Sequence, residues 1–92
     1  MTKAEIVAEI AKSTGIEKAS VLATVEKLME VVKDTLAHGD EVTLRGFGTF
    51  QLKQRAEKTA RNIGKNTTII IPAHKIPAFK PAEAFKAEVA NQ

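Results

Sequence analysis

Lys53, Arg55, Lys58, Arg61, Lys65 and Lys75 fall in one stretch of a 92-residue chain, and that stretch holds a single acid, Glu57. Six cations against one carboxylate give it a net +5. Met1 to Arg45 carries six cations and eight acids, a net −2, while Lys80 and Lys86 are cancelled by Glu83 and Glu88. The positive excess of the chain, +3 in all, therefore sits in one segment. Ordinary protein surfaces intersperse the two signs, so a run of this kind reads as an electrostatic footprint for a polyanion. A merely solvated charged ribbon is the plainer alternative for any one of these residues.

Other chemistries find little support. The absence of cysteine excludes disulfides, thiolate metal sites and a cysteine nucleophile. His38 suits a helix C-terminus and His74 a loop at the base of an arm; neither has the partners that a metal site or a catalytic triad needs. Gly46-Phe47-Gly48 lacks the following helix and third glycine of a dinucleotide fingerprint. Acids on the helical segments lie at solvent-facing spacing. A non-enzymatic chain is expected, with no catalytic residue, metal, cofactor or small-molecule substrate. No run is long enough to span a bilayer and the N-terminus has no apolar signal segment, so the expected location is cytoplasmic.

Elements that would position the basic stretch can be read from periodicity. Thr2 and Glu5 have the form of a capping box, with Ile6, Val7 and Ile10 on one face of a short helix that Gly15 ends. A second helix is predicted from about Lys18 to Ala37, with Val21, Leu22, Val25, Leu28, Met29, Val32 and Leu36 in a broad stripe. That stripe can pack on the first helix or also meet a second subunit, and the second reading is favoured because a chain this small buries little surface alone. After Asp40 the period becomes two. Val42, Leu44, Phe50 and Leu52 point inward, while Thr43, Arg45, Thr49, Gln51, Lys53 and Arg55 point outward.

From about residue 53 to 75 large apolar residues are scarce until Ile69, with a turn-like centre at Asn62 to Asn66. A two-stranded arm fits this better than a long structureless loop. Strand three is predicted over Thr67 to Ala73. Pro72, Pro77 and Pro81 punctuate the return, Phe79 anchors onto the body, and Pro81 suits the first turn of a last helix with Ala84, Phe85 and Val89. The class is α+β: two N-terminal helices, a three-stranded antiparallel sheet with a long β-ribbon arm, and a short C-terminal helix. One domain, 1–92, is expected, with a helical part over 1–40, sheet and arm over 41–79, and the last helix over 80–92.

Gly46-Phe47-Gly48-Thr49-Phe50, Arg55-Ala56, Arg61-Asn62, Ile71-Pro72-Ala73 and Pro77-Ala78-Phe79-Lys80-Pro81 occur in an order and spacing that resemble the HU/IHF family of bacterial histone-like proteins. The resemblance implies an intertwined dimer, homodimeric or paired with a paralogue, whose two arms reach around the minor groove of double-stranded DNA. It implies a nucleoid-associated protein that bends and compacts DNA with little sequence specificity. A sequence-specific IHF-like bender, or an HU-like fold used as a protein interaction module, are the alternatives. Expected DNA contacts are Lys3, Arg45, Lys53, Arg55, Lys58, Arg61, Asn62, Ile63, Lys65, Lys75, Lys80 and Lys86. Expected dimer-core residues are Val25, Leu28, Met29, Val32, Phe47, Phe50 and Phe79. Where the family reads Arg-Asn-Pro at the arm tip, Ile63 stands in place of the proline, and an apolar wedge can be Ile as well as Pro. Gly64-Lys65-Asn66, Ala60, Ile70 and Glu83 also depart from the family pattern.

Overall fold

The computed structural model describes residues 1–62, 64 and 67–91, with the side chains of Ala60, Arg61, Asn62 and Thr67 outside that description. The chain forms two compact units, Met1–Thr35 and Leu36–Gln92.

In the first unit, α1 spans Lys3–Thr14 and α2 begins at Lys18 and runs to Ala37. The Thr2 hydroxyl accepts the Glu5 N–H at 3.3 Å, which satisfies one of the donors a helix start leaves open. Gly15 ends α1 at φ +77°, where its N–H reaches the Ala11 carbonyl. Val7 and Val21 are the buried residues here, at 2% and 4% exposure. Much of the α2 stripe remains open in the single chain, with Leu28 50% and Met29 44% exposed.

The second unit carries the strands: β1 (Val42–Leu44), β2 (Gly48–Arg55), β3 (Lys58–Asn62), β4 (Thr67–Ile71) and β5 (His74–Pro81), then α3 (Glu83–Ala90). An antiparallel sheet has the order β1-β2-β5, and β3 pairs with β4 in a separate two-stranded ribbon. Helices with antiparallel strands make the chain α+β, as expected. Two details differ from the sequence reading. The third strand of the sheet is His74–Pro81 rather than Thr67 to Ala73, and α3 starts at Glu83, two residues after Pro81. The physical reason lies in strand position. β5 is an edge strand, and an edge tolerates Pro77 and Pro81 because a missing N–H there costs no ladder bond. Pro72 just after β4 lacks a donor to continue the ladder, which accords with the ribbon and the sheet being separate.

All four phenylalanines of the chain gather in this unit. Phe47 stacks on Phe85 with centroids 5.3 Å apart, and Phe79 lies 5.1 Å from Phe47 and 5.0 Å from Phe50. Two glycines make this possible in different ways. Gly46, at φ +81°, occupies the turn closed by the Phe47 N–H on the Leu44 carbonyl, a conformation that favours glycine. Gly48 is required for space: a Cβ there would lie 2.5 Å from Phe79 Cζ and 2.6 Å from the Lys80 carbonyl oxygen.

Gly48→Ala should therefore destabilise the fold by about 1–3 kcal/mol through overpacking, seen as a lower thermal midpoint at matched protein concentration. Asn should be better tolerated at Gly46, where nothing lies within 4 Å of an added Cβ and the left-handed conformation is the only obstacle. Equal losses for Gly46→Asn and Gly48→Asn would contradict this division of roles.

Candidate nucleic-acid interface

Strand register sorts the charge. β2 pairs with β5 as Thr49↔Lys80, Gln51↔Ala78, Lys53↔Ile76 and Arg55↔His74, and these pairs alternate with Gly48↔Pro81, Phe50↔Phe79, Leu52↔Pro77 and Gln54↔Lys75. Directly paired residues share a face. One face of the sheet is therefore aromatic and aliphatic, and the other carries Lys53, Arg55, His74 and Lys80. β1 extends the polar face through Thr43↔Thr49, where the Thr49 hydroxyl donates to the Thr43 oxygen at 3.4 Å. Lys53, Arg55 and Lys80 are exposed, and none forms an ion pair among the described residues.

At the end of this face Arg45 sits in the turn before Gly46. With Thr43, Thr49, Lys80 and Glu83 it lines a shallow depression of about 310 Å³. Arg45 forms no ion pair among the described residues. Same-face residues two apart in a strand are separated by roughly 7 Å, less than a Debye length of about 8 Å at physiological ionic strength. Lys53 and Arg55 therefore act on a ligand as one field.

The remaining expected contacts divide. Lys58 is exposed in β3 and pairs in register with Ile71, and Arg61 and Asn62 pair in the backbone ladder with Thr68 and Thr67. Ile63 and Lys65 lie outside the described residues. Lys75 pairs with Gln54 and so falls on the face opposite Lys53 and Arg55. Lys86 is held in α3 by Glu83 at 3.3 Å. In the other unit, Lys3 opens α1 beside a groove that also involves Lys18 and Glu26. Of the expected dimer-core residues, Phe47 and Phe79 are 45% and 38% exposed, and Phe50, Val25 and Val32 are half-buried.

Thr43 and Thr49 lie on the outward face that the alternation predicts, whereas His74 was not legible as part of it. Ala78 and Ile76 interrupt the polar alternation along β5, and the prolines disguise it as a strand at all. The signal that could have found His74 is its even spacing from Lys80. Among the described residues no cluster of His, Asp and Glu could hold a metal ion, and no helix is long and apolar enough to cross a membrane.

Known proteins match this arrangement along its length. The family described as bacterial DNA-binding protein matches residues 1–90. The chain belongs to that family. Its relatives include the DNA-binding protein HU of Thermus thermophilus, 43% identical over 89 residues that span 97% of this chain and 92% of that one. The SPbeta prophage-derived DNA-binding protein HU 2 of Bacillus subtilis is 40% identical, covering 97% of both. Among solved structures, the HU chain in an Anabaena HU–DNA cocrystal structure is similar with a TM-score of 0.93 and 33% identity, each chain covered completely. The resemblance seen in Gly46-Phe47-Gly48 and Pro77-Ala78-Phe79-Lys80-Pro81 is thus a resemblance of the whole chain, both units included.

Proposed function

We propose that this protein is an architectural DNA-binding protein of the HU type, nucleoid-associated and non-enzymatic, acting as a dimer on duplex DNA. The observation that carries the reading is the sorting of charge by strand register: Lys53, Arg55 and Lys80 on one sheet face, four packed rings on the other. Cations held this way displace condensed counterions from a phosphate backbone without reading bases, so affinity depends on salt and little on sequence. The β3–β4 ribbon extends the basic surface through Lys58 and Arg61 and enters the minor groove. The family resemblance assigns the arm tip to Asn62 and to Ile63, which lies outside the described residues, and an apolar side chain there would wedge a base step and bend the duplex. Lys3 and Lys86 serve the flanks.

Dimerisation through the 1–40 helices and the aromatic face accounts for the apolar surface a single chain leaves open. Leu28, Met29, Val31, Phe47 and Phe79 are each 38–50% exposed, more large apolar surface than a stable monomer ordinarily shows. One observation favours a second reading, a protein interaction module: Ile70 on the ribbon is 62% exposed. DNA mobility shifts distinguish the two.

Sedimentation equilibrium at micromolar concentration should give twice the chain mass, with a thermal midpoint that rises with protein concentration; a well-folded monomer would remove the dimer. On random-sequence duplex, log affinity should fall linearly with log salt. Arg55→Ala or Lys53→Ala should make that slope shallower by roughly one unit each, with a smaller effect for Lys75→Ala on the other face. Unchanged slopes for the first two would transfer the lead to the interaction module. Ile63→Ala should reduce bending, read by energy transfer between dyes at the ends of a short duplex, while leaving the salt slope intact, because an uncharged wedge displaces no counterion. Full bending by that variant would make the protein a clamp that coats DNA without kinking it.

A further inference from the structure

The register places a titratable group on the basic face. His74 opens β5 directly opposite Arg55 in β2, with Lys53 at the diagonal position, and its side chain is exposed. Its Nδ1 lies 2.9 Å from the Pro72 carbonyl oxygen. A carbonyl can only accept, so Nδ1 carries the hydrogen and donates, which leaves Nε2 as the nitrogen able to take up a proton. That bond also fixes the ring between the end of the ribbon and the start of the sheet strand.

Among the described residues β5 pairs with β2 alone, and the charged groups that β2 brings to this corner are Arg55 and Lys53, both cationic. Glu57 is the one carboxylate from Lys53 to Lys75. A polyanion drawn to Lys53 and Arg55 therefore arrives beside an imidazole that can add a third positive charge.

We propose that His74 is a DNA-contacting residue whose Nε2 takes up a proton from solvent as phosphate is bound between it and Arg55. The inference rests on the DNA-binding reading above. A phosphate favours the charged ring over the neutral one, so binding is coupled to proton uptake and strengthens toward lower pH. Imidazole is the side chain suited to change charge in this range.

Anisotropy titrations of the full-length protein with a labelled random-sequence duplex, at about pH 5.5 and about pH 8 and several salt concentrations, test this. The parent should bind about two- to fivefold tighter at the lower pH, the range of an exposed ion contact, with a salt slope steeper by about 0.9. His74→Gln should lose that pH-dependent increment. His74→Lys should bind tightly at both pH values. A role confined to the hydrogen bond with Pro72 would be lost in both variants, so tight binding by the Lys variant separates charge from geometry. His38→Gln should retain the response of the parent. The same pH response in the parent and in His74→Gln overturns the role of His74 while leaving DNA binding in place. A parent that binds no duplex at either pH overturns the DNA reading and this inference with it.

Discussion

The seat of Phe79 over Gly48 is the contact on which the rest of the sheet depends. A ring can lie where a Cβ would otherwise be only because position 48 has none, and from there it meets Phe47, Phe50 and Phe85. Slipping β5 by one residue against β2 would carry every side chain to the opposite face. Lys80 would then point among the rings and Phe79 into water. The aromatic packing on one side thus holds the register that displays Lys53, Arg55 and Lys80 on the other, and the basic surface is a consequence of a hydrophobic constraint.

Much of this was legible in the chain itself. Both N-terminal helices follow the 3.6-residue spacing of Val7, Val21, Leu28 and Leu36, and the change to period two at Val42 marks the first hairpin. Inward Phe50 and Leu52 against outward Lys53 and Arg55 gave the correct faces for β2, because β2 is a central strand with one apolar side. β5 was harder. Its residues His74 to Pro81 contain two prolines and mix Ala78 and Ile76 into the polar face, so neither propensity nor alternation marks it; only pairing with β2 does. The placement of Lys75 had the same origin. Charge counting groups it with Lys53 and Arg55, but a position one residue out of phase lies on the other side of a strand.

The separation of the β3–β4 ribbon from the sheet carries a mechanical meaning for the proposed DNA grip. Pro72 interrupts the ladder between β4 and β5, and Ala56-Glu57 interrupts it between β2 and β3. Backbone bonds that would make the ribbon a rigid continuation of the sheet are missing at the same level on both strands. An arm joined this way can change direction at its base while each ladder stays intact, which suits a ligand whose local curvature varies.

Electrostatics sets a limit on such a surface. Lys53 and Arg55 lie on one face within a Debye length of each other, so their like charges repel. Beneath them, Phe50 meets Phe79 and Leu52 pairs in register with Pro77, while Ile76 stands directly opposite Lys53. A phosphate bound between them reduces that repulsion. A surface built this way favours a regularly spaced polyanion, since Lys53, Arg55 and Lys80 act on it by charge. Under the proposed DNA-bending reading, selectivity comes from the ease with which a duplex deforms to meet both the sheet face and the ribbon.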